Sequence, residues 1–246
     1  MKTPKVVAHR GFAARYPENT IEALQAAVDC GARHVEVDVQ LTFDHVAVLL
    51  HDDDLQRTAG VPGPVMDLTW EAVSDYTVGE AQRLGDKFQH VRVPSVADLA
   101  VWLQRNPSVY TFVEIKEESL ARFGTDFVVR RVVESLEPVL EQCIIISYDI
   151  AALAEARQFA ATPIGWVIRE WNAADHARAE QLKPEYLICN YKKINTALWP
   201  GAWRWILYEI ADPDLALEWA ARGVEFAETM AVSTLLNDPR FHETGL

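Results

Sequence analysis

Residues 5–40 read KVVAHRGFAARYPENTIEALQAAVDCGARHVEVDVQ, and this stretch decides the fold. Lys5 to His9 is a short β-rich run. Asn19 to Cys30 places Ile21, Leu24, Ala27 and Val28 on one helical face at three-and-four spacing, and Gly31 supplies a stop signal. Arg33 to Gln40 is a second β-rich run. Strand, amphipathic helix and strand in this order are the unit of a parallel sheet covered by helices.

Outward from this unit, the pattern recurs about eight times, as a closed barrel requires. Strands are predicted at Val109 to Ile115, Cys143 to Ser147, Pro163 to Val167, Tyr186 to Cys189, Trp205 to Tyr208 and Val224 to Glu228. Helices are predicted at Val96 to Arg105, Thr125 to Leu140, Ile150 to Phe159, Asn172 to Gln181, Asn195 to Trp199, Pro213 to Arg222 and Val232 to Leu236. The expected fold is therefore α/β, a (β/α)8 barrel of the TIM type, in one domain spanning 1–246. From about 52 to 94 the rhythm breaks: Gly60, Pro62, Gly63, Pro64, Gly79 and Gly85 lie among polar residues with no long helix. This reads as a small insertion after the second-strand region, on the face where barrel active sites lie.

The 246 residues, half of them hydrophobic, suffice for a substantial core. A formal net charge of -13 disfavours nucleic acid, whose phosphates need clustered Lys and Arg, and it would repel anionic lipid. A soluble small-molecule substrate fits better. No run approaches the ~18 apolar residues of a spanning helix, and the first ten residues lack a signal-peptide core, so no stable membrane insertion and a cytoplasmic location are expected. A homo-oligomer stays open. Cys30, Cys143 and Cys189, odd in number and widely spaced, read as buried thiols and not as a disulfide framework or a zinc site.

Barrel chemistry is assembled at the C-terminal ends of strands, and these ends are polar here. The first ends in His9-Arg10-Gly11: a histidine to exchange protons, a guanidinium to hold an oxyanion, and a glycine for a sharp turn. Taken alone, the triplet is weak evidence. Glu36 and Asp38, two apart, point to one side of the second strand while Val35, Val37 and Val39 point to the other. Two carboxylates on a desolvated face need a counter-cation, and a hard divalent metal is the simplest one. Glu114 repeats the geometry on the next strand, with Lys116 placed to neutralise a phosphate oxygen or to orient the carboxylate. A plain inter-strand salt bridge is the alternative reading of that pair. His51 follows the run Val46 to Leu50 and is the second strand-end histidine, giving one general base and one general acid. Asp52, its own neighbour, is not expected to hold the ring, and Asp52 to Asp54 read as a solvated loop start.

His9-Arg10-Gly11, Pro17-Glu18-Asn19-Thr20, Glu36-x-Asp38, Thr42-x-Asp44, His51-Asp52, Arg57-Thr58, Val-Pro-Ser at 93–95, Glu114-x-Lys116 and Ser147-Tyr148 together resemble the glycerophosphodiester phosphodiesterase family. The resemblance covers nearly the whole chain in order. It implies a TIM-type barrel, a divalent cation such as Mg2+ or Ca2+, and hydrolysis of glycerophosphodiesters to sn-glycerol 3-phosphate and an alcohol. It also implies His9 and His51 as the catalytic pair, Glu36, Asp38 and Glu114 as metal ligands, and Arg10 and Lys116 as phosphate contacts. The chain departs from the family where Tyr208-Glu209-Ile210-Ala211 replaces Trp-Thr-Val-Asn, where Thr229-Met230-Ala231-Val232 replaces Thr-Asp-x-Pro, and where His45 replaces a common glycine. Glu209 is thereby open to three readings: a contact for a cationic headgroup, a buried hydrogen-bonding residue, or an exposed one. Two rival functions are a lysophospholipase D type activity, with Trp199, Trp203 and Trp205 as an apolar track, and a non-catalytic binding barrel. The second would be marked by loss of a histidine or carboxylate, and none is lost.

Overall fold

The computed structural model describes residues 3–241. Eight parallel strands form the barrel: β1 (Lys5–Ala8), β2 (His34–Leu41), β3 (Tyr110–Ile115), β4 (Cys143–Ser147), β5 (Ile164–Val167), β6 (Tyr186–Asn190), β7 (Arg204–Tyr208) and β8 (Phe226–Thr229). Each pairs with the next, and β1 pairs with both β8 and β2, which closes the sheet.

The alternation read in β2 holds. Val35, Val37 and Val39 are buried in the cluster shared with the helices, while Val7, Phe112, Ile144, Ile146, Val167, Ile188, Ile206 and Phe226 fill the barrel from inside. Gly165 belongs to this interior: a Cβ there would lie 2.7 Å from Ile188 Cδ1 and 2.9 Å from Ile146 Cγ2.

The first helix, α1 (Ile21–Asp29), is capped by Thr20, whose side chain accepts from the Ala23 N–H. Gly11 has φ +76°, and a Cβ on it would lie 2.6 Å from the Ala23 carbonyl carbon. The glycine thus lets the β1–α1 loop lie flat on the helix and fixes the direction in which His9 and Arg10 leave the strand.

Four expectations are corrected. No helix forms at Asn195 to Trp199: after a short 3-10 turn at Tyr191–Lys193 the chain runs irregularly, with Trp199 stacked on Trp171 at 4.2 Å between ring centroids. Five residues before Pro200-Gly201 are too few to sustain a helix, and aromatic packing holds the segment instead. An additional helix, Glu117–Phe123, precedes the predicted one and is separated from it by Gly124 at φ +91°. The helix from Thr125 ends at Leu136, and residues 137–142 around Pro138 form a 3-10 segment. Ala47–Leu49 is a strand, but it runs antiparallel to β2 outside the barrel, so His51 ends a flanking strand and not a barrel strand.

The insertion has its own apolar cluster, including Leu55, Val65, Met66, Val73, Val78, Phe88 and Val91, around a two-stranded hairpin of Asp54–Leu55 and Val61–Pro64. His45, where a glycine is common, adopts φ +65° and packs edge-on against Phe123 and Phe127. No helix among the described residues is long and apolar enough to cross a membrane. Cys143 and Cys189 are buried, Cys30 is half-buried, and all three are free.

Candidate active site

Strand register brings the carboxylates together. Asp38 and Glu114 are direct partners across β2 and β3, and Glu36 lies one interior position below Asp38. One oxygen from each of Glu36, Asp38 and Glu114 falls within 4.8 Å of the others. Asp38 is surrounded by donors: Asn19 Nδ2 donates to Oδ2 (2.9 Å), Lys116 Nζ donates to Oδ1 (3.3 Å), and Arg10 Nε lies 3.1 Å from Oδ2. Burial works against this charge, but Arg10, Lys116, His51 and Asn19 hold the carboxyl well below the usual carboxylate range.

Glu36 and Glu114 are in the opposite condition. Burial, and then the charge of Asp38, push both above their ordinary values. Glu36 Oε2 accepts the Arg10 backbone N–H at 3.0 Å, whereas its buried Oε1 has no hydrogen-bond partner. An orphaned carboxylate oxygen among like charges is what a hard divalent cation would satisfy, so this donor set fits such an ion. Lys116 Nζ also donates to Glu114 Oε1 at 2.9 Å, so the salt bridge between strands and the orientation of the carboxylate are the same contact.

His9 and His51 open onto one cavity of about 230 Å3 with Arg10, Glu114, Lys116, Tyr148, Tyr208 and Glu228. Each ring is held at Nδ1 by a carboxylate. His51 Nδ1 is 2.7 Å from Asp52 Oδ1, contrary to the expectation that a residue does not orient its neighbour. The chain bends at residues 51–53, after Leu50, whose N–H donates to the Asp38 carbonyl, and Arg57 Nε holds the far oxygen of Asp52 at 2.7 Å. Arg57 also grips both oxygens of Glu18, and Glu18 accepts from Arg10, so an unbroken chain of charged contacts joins His51 to the carboxylate cluster.

His9 Nδ1 donates to Glu209 Oε1. Its Nε2 lies 3.7 Å from Glu228 and 3.8 Å from Glu36. Burial opposes a charge on this ring, but Glu228, Glu209 and Glu36 outweigh it and push the imidazole up to about 10 before any cation is bound. Burial in turn pushes Glu228 up to about 7. Glu228 is a site residue beyond those predicted, although its position carries the same signal: it is two residues beyond Phe226, the same spacing that relates Glu36 and Asp38. Tyr148 and Tyr208 face each other across the cavity, hydroxyl to hydroxyl at 3.0 Å.

A family model described as the glycerophosphoryl diester phosphodiesterase family matches residues 9–226. The chain belongs to that family. A glycerophosphodiester phosphodiesterase of Caldanaerobacter subterraneus subsp. tengcongensis is 30% identical over 212 residues, 81% of this chain and 85% of the relative. Mouse glycerophosphodiester phosphodiesterase 1 is 34% identical over 110 residues, 45% of this chain and 33% of the relative. Among solved structures, an Oleispira antarctica phosphodiesterase in complex with the product sn-glycerol-3-phosphate superposes with a TM-score of 0.84 at 23% identity, covering 96% of each chain. A glycerophosphodiester phosphodiesterase from Parabacteroides distasonis gives 0.77 at 21% identity, covering 98% of this chain and all of the other. These last two show the shared fold. This member of the glycerophosphodiester phosphodiesterase family is a phosphoric diester hydrolase on a TIM-type barrel. All seven site residues predicted from its sequence meet at one end of that barrel.

Proposed function

We propose that residues 1–246 act as one domain that hydrolyses glycerophosphodiesters to sn-glycerol 3-phosphate and an alcohol, with a divalent cation and two histidines as proton carriers. The observation that carries this reading is the shared cavity: two carboxylate-held histidines line it together with Glu114, which clusters with buried Glu36 and Asp38, and Glu36 has an orphaned oxygen. The family relationship and the product bound in the Oleispira antarctica structure support the substrate class.

Glu36, Asp38 and Glu114 would hold Mg2+ or Ca2+, which when bound supplies Lewis-acid stabilisation of negative charge on a phosphate oxygen. Arg10 and Lys116 present N–H donors to the phosphate from the floor of the cavity. One histidine takes the proton of the attacking oxygen and the other delivers a proton to the departing alcohol oxygen; water as the attacker gives glycerol 3-phosphate directly, whereas the glycerol 2-hydroxyl gives a cyclic phosphate that a second proton-transfer step opens with water. With Nδ1–H tied to a carboxylate, each ring exchanges protons through Nε2. The three free thiols suit a reducing, cytoplasmic setting.

The lysophospholipase D alternative gains no support from the cavity: Trp199 and Trp205 are buried against Trp171 and His176, Trp203 is half-buried against His176, and none of the three lines it. The test is a coupled assay for glycerol 3-phosphate release from a panel of glycerophosphodiesters, with and without a chelator. Release that survives complete metal removal contradicts the cation site. His9→Ala and His51→Ala should each lower turnover by roughly 10²-fold or more.

A further inference from the structure

Glu209 stands where the family has threonine, and the structure gives it a specific partner. Its Oε1 accepts from His9 Nδ1, and its Oε2 accepts from the Met230 backbone N–H at 3.3 Å, so the carboxylate is pinned between the ends of β7 and β8. A carboxylate only accepts hydrogen bonds, so Nδ1 must carry the hydrogen. The remaining nitrogen, Nε2, then points into the cavity between Glu36 and Glu228. Among the described residues no other side chain lies within hydrogen-bond distance of either His9 ring nitrogen, so the Glu209 contact is the one side-chain hydrogen bond on the ring.

We infer that Glu209 is a positioning residue for His9, taking by a side chain 200 positions away the part that Asp52 plays for His51. The inference rests on His9 being a proton carrier. It assigns this chain's departure from the family to catalysis and not to headgroup recognition: each carboxylate oxygen already accepts a hydrogen bond from the protein, and Glu209 is not among the residues that line the cavity.

The experiment is steady-state kinetics of the metal-loaded enzyme on glycerophosphocholine, glycerophosphoethanolamine and glycerophosphoglycerol, for wild type, Glu209→Ala, Glu209→Gln, His9→Ala and the His9→Ala/Glu209→Ala double variant. Glu209→Ala should lower kcat about 10- to 100-fold on all three diesters, with KM within about threefold. Glu209→Gln, which keeps an acceptor oxygen, should recover several-fold of that loss. The double variant should be no slower than His9→Ala, because Glu209 acts through the ring. Calorimetric Mg2+ affinity should not change. The side chain of Glu209 is 37% exposed, and folding of each variant is checked by its melting temperature. A kcat within threefold of wild type in Glu209→Ala, a KM effect confined to the two diesters with cationic headgroups, or an additive double variant would each overturn the inference. High activity in His9→Ala would instead overturn the role of His9 itself, which keeps the two failures apart.

Discussion

His51 Nδ1 lies 2.7 Å from Oδ1 of its own neighbour, Asp52. The contact forms where the chain bends after the short antiparallel strand, and Arg57 anchors the second Asp52 oxygen. Asp52→Asn keeps the size and an acceptor but loses the charge that favours the Nδ1–H form and holds Arg57. Turnover should fall about 10- to 100-fold, with little change in metal affinity. Steady-state kinetics with parallel Mg2+ titration checks this, and unchanged turnover would refute it.

Glu36 and Asp38 should respond to neutralisation with opposite signs of stability. Asp38 is paired with Arg10 and Lys116, which keep Glu18 and Glu114 as their other partners, so Asp38→Asn weakens the pairing of two part-buried cations and should cost about 1–3 kcal/mol without metal. Glu36 lacks a partner for one oxygen and is crowded by like charge, so Glu36→Gln should raise metal-free stability by about 1 kcal/mol while abolishing metal-stimulated activity. Urea unfolding in chelator, beside the activity assay, separates the two variants.

At the other end of the barrel, His34 supplies a pH dependence unconnected with catalysis. It stacks on Tyr110 and meets the edge of Phe226, and burial followed by the charges of Lys5 and Arg204 pushes it down to about 4. The unfolded chain, with an ordinary histidine near 6.5, binds the proton first as pH falls. Stability from this residue is therefore full above pH 6.5 and is lost between 6.5 and 4, by up to about 3 kcal/mol. His34→Leu should flatten this part of the stability profile. Chemical denaturation of both proteins at pH 7 and pH 5 reads the difference directly.

Gly11→Ala should destabilise by at least about 2 kcal/mol and lower activity in the protein that remains folded. The substitution forces an L side chain into φ +76° and drives a Cβ to 2.6 Å from the backbone of α1. The loop has to move, and His9 and Arg10 move with it. A melting temperature equal to that of wild type would contradict this account.

The barrel was legible because burial imposes periodicity. Seven of the eight helices predicted from the three-and-four pattern are present, and the eighth, at Asn195 to Trp199, failed where the run was shortest and the packing aromatic. Glu36, Asp38, Glu114 and Lys116 were legible for a related reason, since residues two apart on a strand share a face and a buried charge on that face needs an explanation. Glu228 met the same criterion. What set it apart was only that it closed its predicted strand with no second carboxylate beside it.

The sequence by itself determined which side chains face the barrel interior, because alternation along a strand is a local property of the backbone. Only the tertiary structure decided which of them meet. Closure of the sheet sets β1 beside β8 and β8 beside β7, so Glu209, the residue that follows β7, becomes the hydrogen-bond partner of a histidine 200 residues away. A bend of the chain after Leu50, with Arg57 on the far oxygen, makes Asp52 the partner of the residue next to it. Register, closure and loop direction are set by packing summed over the whole molecule, and no local pattern encodes them.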